Sequence, residues 1–162
     1  LLILTFSATI TGTIISKYEN AFAAIPLLVS FIPMLMDTGG NCGSQSSTLV
    51  IRGLALNEIH FKDFFRVLFK EFRISLIVGM ILAVANGIRI LIMYQNAALA
   101  LVIGLSLLAT IILSKLIGCL LPLLANRVGL DPAIMASPLI TTLVDTCSIL
   151  IYFQIATQVF QL

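Results

Sequence analysis

At 162 residues the chain has the length of one domain, but 60% of it is apolar and only 10% is charged, against roughly 45 to 50% apolar in soluble globular proteins. With a mean hydropathy of +1.15 there is too little polar surface to clothe a water-soluble globule, which excludes a soluble enzyme and a disordered chain. The net charge of +2, from nine Lys and Arg against seven Asp and Glu, is too small and scattered for a nucleic-acid footprint, so the partner implied is membrane lipid.

The sequence opens at Leu1, without Met and already inside an apolar run, and so reads as a fragment lacking its upstream portion. No charged region precedes that run to mark a signal peptide. A membrane-spanning helix needs about 20 mostly apolar residues, and five segments supply them. The first covers residues 1–16. The second, residues 21–56, is polar in its latter half, with Asp37, Asn41, Ser44, Gln45, Thr48 and Arg52. The third begins near Phe64 as a basic amphipathic stretch and is fully apolar over residues 74–85. The fourth covers residues 97–125, and the fifth runs from Pro132 to the end. The fold class expected is an all-α membrane protein with five transmembrane helices per chain.

Between the second and third segments lie Arg52, Lys62, Arg66, Lys70 and Arg73, and between the fourth and fifth lie Lys115 and Arg127; the opposite loops offer only Lys17 and Arg89. The positive-inside rule then puts the N-terminus in the cytoplasm and the C-terminus outside, in a multi-pass protein of the cell (inner) membrane. Residues 57–73, with five Phe among the basic residues, read as an interfacial amphipathic helix. Cys42, Cys119 and Cys147 form no CxxC pair and have no companion His, so they read as buried thiols.

In the second segment Asp37, Asn41, Gln45, Thr48 and Arg52 follow a spacing of 0, 4, 8, 11 and 15, one face of an α-helix. Such a stripe must face protein or water inside a membrane. Gly39 and Gly43 form a small-xxx-small pair beside it, where another backbone can approach closely. A packing seam glued by amide and hydroxyl hydrogen bonds is the plain alternative, but so many polar groups exceed what packing alone usually requires. The last segment repeats the pattern with Ser137, Thr141, Asp145 and Ser148 at 0, 4, 8 and 11. A carboxylate at bilayer depth costs at least about 2.5 to 3.5 kcal/mol, so Asp145 needs an ion pair, with Lys115 as the available cation, a proton, or a water-filled cavity. Lys115, near a helix end, is expected to snorkel away.

Hydroxyl, amide and carboxylate oxygens around one cavity are hard ligands that suit Mg²⁺ better than a soft metal, and Mg²⁺ gives up its waters reluctantly. One carboxylate per chain is half of the ion's charge. A two-fold homodimer with two Asp145 side chains on its axis would balance it, assembled in part through the Gly39 and Gly43 seam.

The run PMLMDTGGNCGSQSSTLVIRGLA, from Pro33 to Ala55, and ASPLITTLVDTCSILIYF near the end resemble the signature and the last helix of the MgtE family of magnesium channels. The resemblance covers essentially the whole chain, residues 1–162, as the transmembrane pore domain. It implies a homodimer with the pore at the dimer interface, lined by the second and fifth helices, and a function as a magnesium-selective channel into the cytoplasm, not an enzyme. It also implies Asp145 as the central Mg²⁺-binding residue and the Thr141 carbonyl as a contact one turn earlier. Asn41, Gln45, Thr48 and Ser148 are then pore-lining, with Ser137 and Ser44 at positions where relatives carry Asn and the polar group here is shorter. Asp131 matches an acidic residue near the cytoplasmic mouth that joins regulatory Mg²⁺ sites; as a turn residue before Pro it also reads as an N-cap for the fifth helix. The family's cytosolic N-terminal domain and CBS regulatory modules are absent from this chain.

An ion-coupled divalent cation exchanger is the competing transport reading. An intramembrane aspartyl protease using Asp37 and Asp145 lacks a GxGD frame, and a serine protease is disfavoured because His60, the single histidine, lies in a loop. A non-conducting assembly subunit would need only the packing seam.

Overall fold

The computed structural model describes residues 2–18, 23, 25–135 and 137–161. Among them are five α-helices, α1 (Leu2–Lys17), α2 (Ile32–Ala55), α3 (Phe64–Tyr94), α4 (Ala97–Arg127) and α5 (Ser137–Phe160). The five apolar segments of the sequence are thus five helices, in the expected order. Among the described residues three spans are long and apolar enough to cross a membrane: Phe61–Tyr94, Ala97–Arg127 and Pro138–Phe160. α1 has 16 residues, short of the usual ~20, and α2 is less apolar because it carries the polar stripe.

The second helix starts later than its hydropathy suggests. Pro26–Phe31 form a 3₁₀ turn, and α2 begins at Ile32 with Pro33 in its first turn. Proline has no N–H and its ring clashes with the carbonyl four residues back, so a proline fits most easily at a helix start, although Pro122 lies inside α4. The expected start at Ala21 lies outside the described residues. At the other end, Pro132–Met135 make another 3₁₀ turn, so the last helix begins at Ser137 and not at Pro132.

Residues 57–73 are not a separate interfacial helix. Asn57 takes a left-handed conformation (φ 56°), and the Gly53 carbonyl accepts from the amides of Glu58 (2.9 Å) and Ile59 (3.1 Å). Only a short turn (Phe61–Asp63) then precedes α3, which runs unbroken from Phe64 into the apolar stretch. α3 and α4 form a tight αα-hairpin. Gln95 is left-handed (φ 49°), and the Asn96 Oδ1 caps α4 by accepting from the Leu99 amide at 2.9 Å.

α4 is the central helix. It packs against α2, α3 and α5, while α1 lies on α5. The larger core gathers Leu28, Phe31, Leu35, Ile103, Leu107, Tyr152 and Phe153; there the Tyr152 hydroxyl donates to the Leu28 carbonyl at 2.8 Å, so the one polar atom of this aromatic is satisfied. A smaller cluster of Val50, Leu54, Cys119 and Leu123 closes the opposite end.

The small-residue seam is used inside the chain. A Cβ on Gly118 of α4 would overlap the Gly43 carbonyl, and one on Gly39 would lie 2.8 Å from both Thr110 Cγ2 and Val144 Cγ1. α2 is therefore wedged between α4 and α5 of the same chain, and Gly39 and Gly43 face those neighbours rather than a second copy. Cys42 and Cys119 are buried free thiols as expected, whereas Cys147 is half-buried.

Candidate functional site

Because its two glycines turn one face of α2 into the protein, the opposite face points outward. Asp37, Asn41, Gln45, Thr48 and Arg52 are all exposed on it, as their spacing predicts. Ser44 sits at the edge of this face, half-buried, with its carbonyl accepting the Thr48 hydroxyl at 2.8 Å.

The upper part of that face meets α5 in a cleft of about 200 Å³ lined by Met36, Asp37, Gly40, Asn41, Thr141 and Asp145. Gly40 makes the meeting close: a Cβ there would lie 3.2 Å from Thr141 Cγ2 and 3.9 Å from Asp145 Oδ1. The Thr141 hydroxyl donates to the Pro138 carbonyl at 3.1 Å. Two carboxylates, one amide and one hydroxyl thus border this open cleft. Hard oxygen donors around such a cleft fit a strongly hydrated cation.

Not every expected residue joins this cleft. Ser148 is fully buried and its hydroxyl donates to the Val144 carbonyl at 2.6 Å; it is turned toward the helix neighbours and is not part of the cleft lining. The Ser137 side chain lies outside the described residues. Gln45 and Thr48 continue the exposed face below the cleft without lining it. Asp131 is exposed and its Oδ1 accepts the Ala133 amide at 2.9 Å, so it caps the 3₁₀ turn that leads into α5. No group of three or more His, Cys, Asp or Glu able to hold a metal comes together among the described residues.

Lys115 neither pairs with Asp145 nor snorkels. Its Nζ lies 3.3 Å from Glu71 Oε2 and donates to Ser46 Oγ at 3.1 Å, while the Ser46 hydroxyl donates to the same Glu71 oxygen at 2.7 Å. Lys115 and Glu71 are each 6% exposed. This buried triad ties α2, α3 and α4 together, on the side of α2 away from the polar stripe. Sequence reasoning missed Glu71, although a signal existed: it is the one acid in α3, and Lys115 is the one cation of α4 short of its last residue. Removing Lys115 from the loop cations leaves the charge asymmetry between the two sides in place.

Residues 32–155 match MgtE, described as a divalent cation transporter. The chain belongs to the MgtE family. Three relatives, each named a magnesium transporter MgtE, align over nearly its whole length. The one from Bacillus subtilis is 41% identical over 157 residues, 97% of this chain and 35% of the relative. Those from Thermus thermophilus and Enterococcus faecalis are 36% and 35% identical, over 96% and 98% of this chain and 34% and 35% of their own lengths. This MgtE-family chain therefore spans about a third of the length of the curated relatives it matches. The relatives are transporters and not enzymes, and the apolar helices here agree with a multi-pass membrane protein.

Proposed function

We propose that the chain is the membrane-spanning pore part of a magnesium transporter, with five spans per protomer and two protomers about a two-fold axis. The observation that carries the reading is the convergence of the α2 stripe and α5 on one outward-facing cleft bordered by Asp37 and Asp145. A polar face on a membrane helix must meet protein or water. Two such faces set opposite each other enclose a hydrated path, with Asn41, Ser44, Gln45, Thr48 and Ser137 along it.

Asp145 of each protomer holds the ion through its water shell, with Thr141 as a second contact, so the two charges of Mg²⁺ meet two carboxylates. Asp131 stands at the cytoplasmic mouth. The dimer rests on the exposed polar face alone, since the glycine seam is filled within the chain. By the loop charges the N-terminus is cytoplasmic, the C-terminus is outside, and Mg²⁺ passes inward. The lengths of the relatives leave room for cytosolic regulatory domains of the same protein.

The test is Mg²⁺ uptake into liposomes carrying the purified chain, with its oligomeric state read in parallel. Uptake driven by the Mg²⁺ gradient alone supports a channel, whereas uptake that requires an opposing ion gradient supports a coupled exchanger. Absence of flux in intact dimers would overturn the transport reading.

A further inference from the structure

The structure assigns a second binding site to the first turns of α3: a groove for an anionic phospholipid, its phosphate held by Arg66, Lys70 and Arg73 and its acyl chains by an aromatic wall. This rests on the membrane-spanning reading above.

Phe65, Phe69 and Phe72 are spaced at 0, 4 and 7, and Arg66, Lys70 and Arg73 repeat that spacing one residue later. An aromatic and a basic stripe therefore run side by side along one helix. Phe65 and Phe69 are 80% and 63% exposed, and all three cations are exposed. On one side lies an apolar groove of about 610 Å³ between Phe65, Leu68, Phe69 and Phe72 of α3 and Leu116 of α4. On the other lies a cleft of about 450 Å³ that contains all three cations together with Phe69, Ile74 and Ile77. The two share Arg66 and Phe69.

Charge complementarity selects the occupant. The one acid of α3, Glu71, borders a separate cleft on the α2 side, which Arg66 and Lys70 also line, and is engaged by Lys115. Among the described residues no carboxylate forms an ion pair with Arg66, Lys70 or Arg73; Glu58 and Asp63 share the α2-side cleft with Arg66 and Lys70, whereas the cleft that gathers all three cations has no acid in its lining. Three cations gathered beside an apolar aromatic groove at a helix end match the two parts of an anionic lipid, a phosphate and hydrocarbon chains. A protein partner would leave the long apolar groove and the unpaired cations to be matched separately.

The chain contains no Trp, so a single introduced Trp is a clean reporter. Phe69→Trp in liposomes is expected to be quenched by brominated phosphatidylglycerol with a relative binding constant on the order of ten-fold above brominated phosphatidylcholine. With Arg66, Lys70 and Arg73 all changed to Gln, that preference falls to about one. The control is Ile92→Trp at the far end of α3, where the side chain is 74% exposed. Both lipids should quench it equally, with and without the three Gln changes, which also shows that the variant inserts. Equal quenching of Phe69→Trp by both lipids, or protection from both by a second copy or another protein segment, overturns the lipid site. Loss of quenching at Ile92→Trp instead strikes at the membrane-spanning reading itself.

Discussion

At the scale of single residues, two ionisable centres differ in how they are satisfied. Asp145 opens onto the cleft with Asp37 nearby, an arrangement that invites a cation to share. Asp145→Asn keeps the shape and removes the charge. Mg²⁺ affinity should fall about ten- to a hundred-fold, as expected for loss of hydrogen bonds to a charged group, with the dimer retained. Asp145→Glu should also impair flux, because the longer side chain enters the ion's space; titration calorimetry and liposome flux read both. Unchanged affinity in Asp145→Asn would place the ion elsewhere. Glu71 and Lys115, by contrast, satisfy each other through Ser46 in a largely buried site. Breaking such a pair leaves one charge unpaired and costs ~3 to 5 kcal/mol, whereas replacing both by apolar groups is often neutral. Lys115→Met and Glu71→Leu should therefore each lower the thermal midpoint in detergent sharply, and the double variant should recover most of it. Additive losses would deny the coupling.

At the scale of helices, close backbone approach decides which face of α2 is left for function. Gly118 abuts the Gly43 carbonyl, while Gly87 in α3 has nothing within 4 Å of an added Cβ. Gly118→Ala should push α2 from α4 and destabilise the fold by about 1 to 3 kcal/mol, the usual cost of overpacking. Gly87→Ala should be neutral or stabilising by up to ~1 kcal/mol, since alanine is the better helix former. Chemical or thermal unfolding of the two variants compares them directly, and equal stability would show that the crossing has slack. Gly40 is the intermediate case, because the side chain it would carry meets Thr141 beside Asp145.

At the scale of the whole molecule, the exposed stripe on α2 and the half-buried Asp145 on α5 are what a second protomer would cover. With the three native cysteines replaced, Thr141→Cys should cross-link to its counterpart under mild oxidation, while a cysteine at Ile92, far along α3, should not. A monomer that still transports Mg²⁺ would sink the dimeric pore.

How much of this was legible beforehand follows from the range of the forces involved. The number and order of the helices, and the alignment of Asp37, Asn41, Gln45, Thr48 and Arg52 on one face, depend on apolar run length and a 3.6-residue period, both local properties of the chain. The two long motifs carried the family for the same reason. Helix starts at Ile32 and Ser137 were blurred, because hydropathy continues smoothly through prolines that interrupt the backbone hydrogen bonds. The partner of Lys115 was invisible locally: residues 46, 71 and 115 lie on three helices, and which charges meet depends on how α2, α3 and α4 rotate about their axes. That rotation is set by the Gly43–Gly118 contact. Ser148 shows the same limit within one helix, since it shares the series of Thr141 and Asp145 yet is buried. Sequence by itself determined a membrane-type helical chain with one polar face on α2, because periodicity is written along the backbone. Only the tertiary structure decided which polar groups open onto water and which are locked away, because that depends on the packing of helices far apart in the chain.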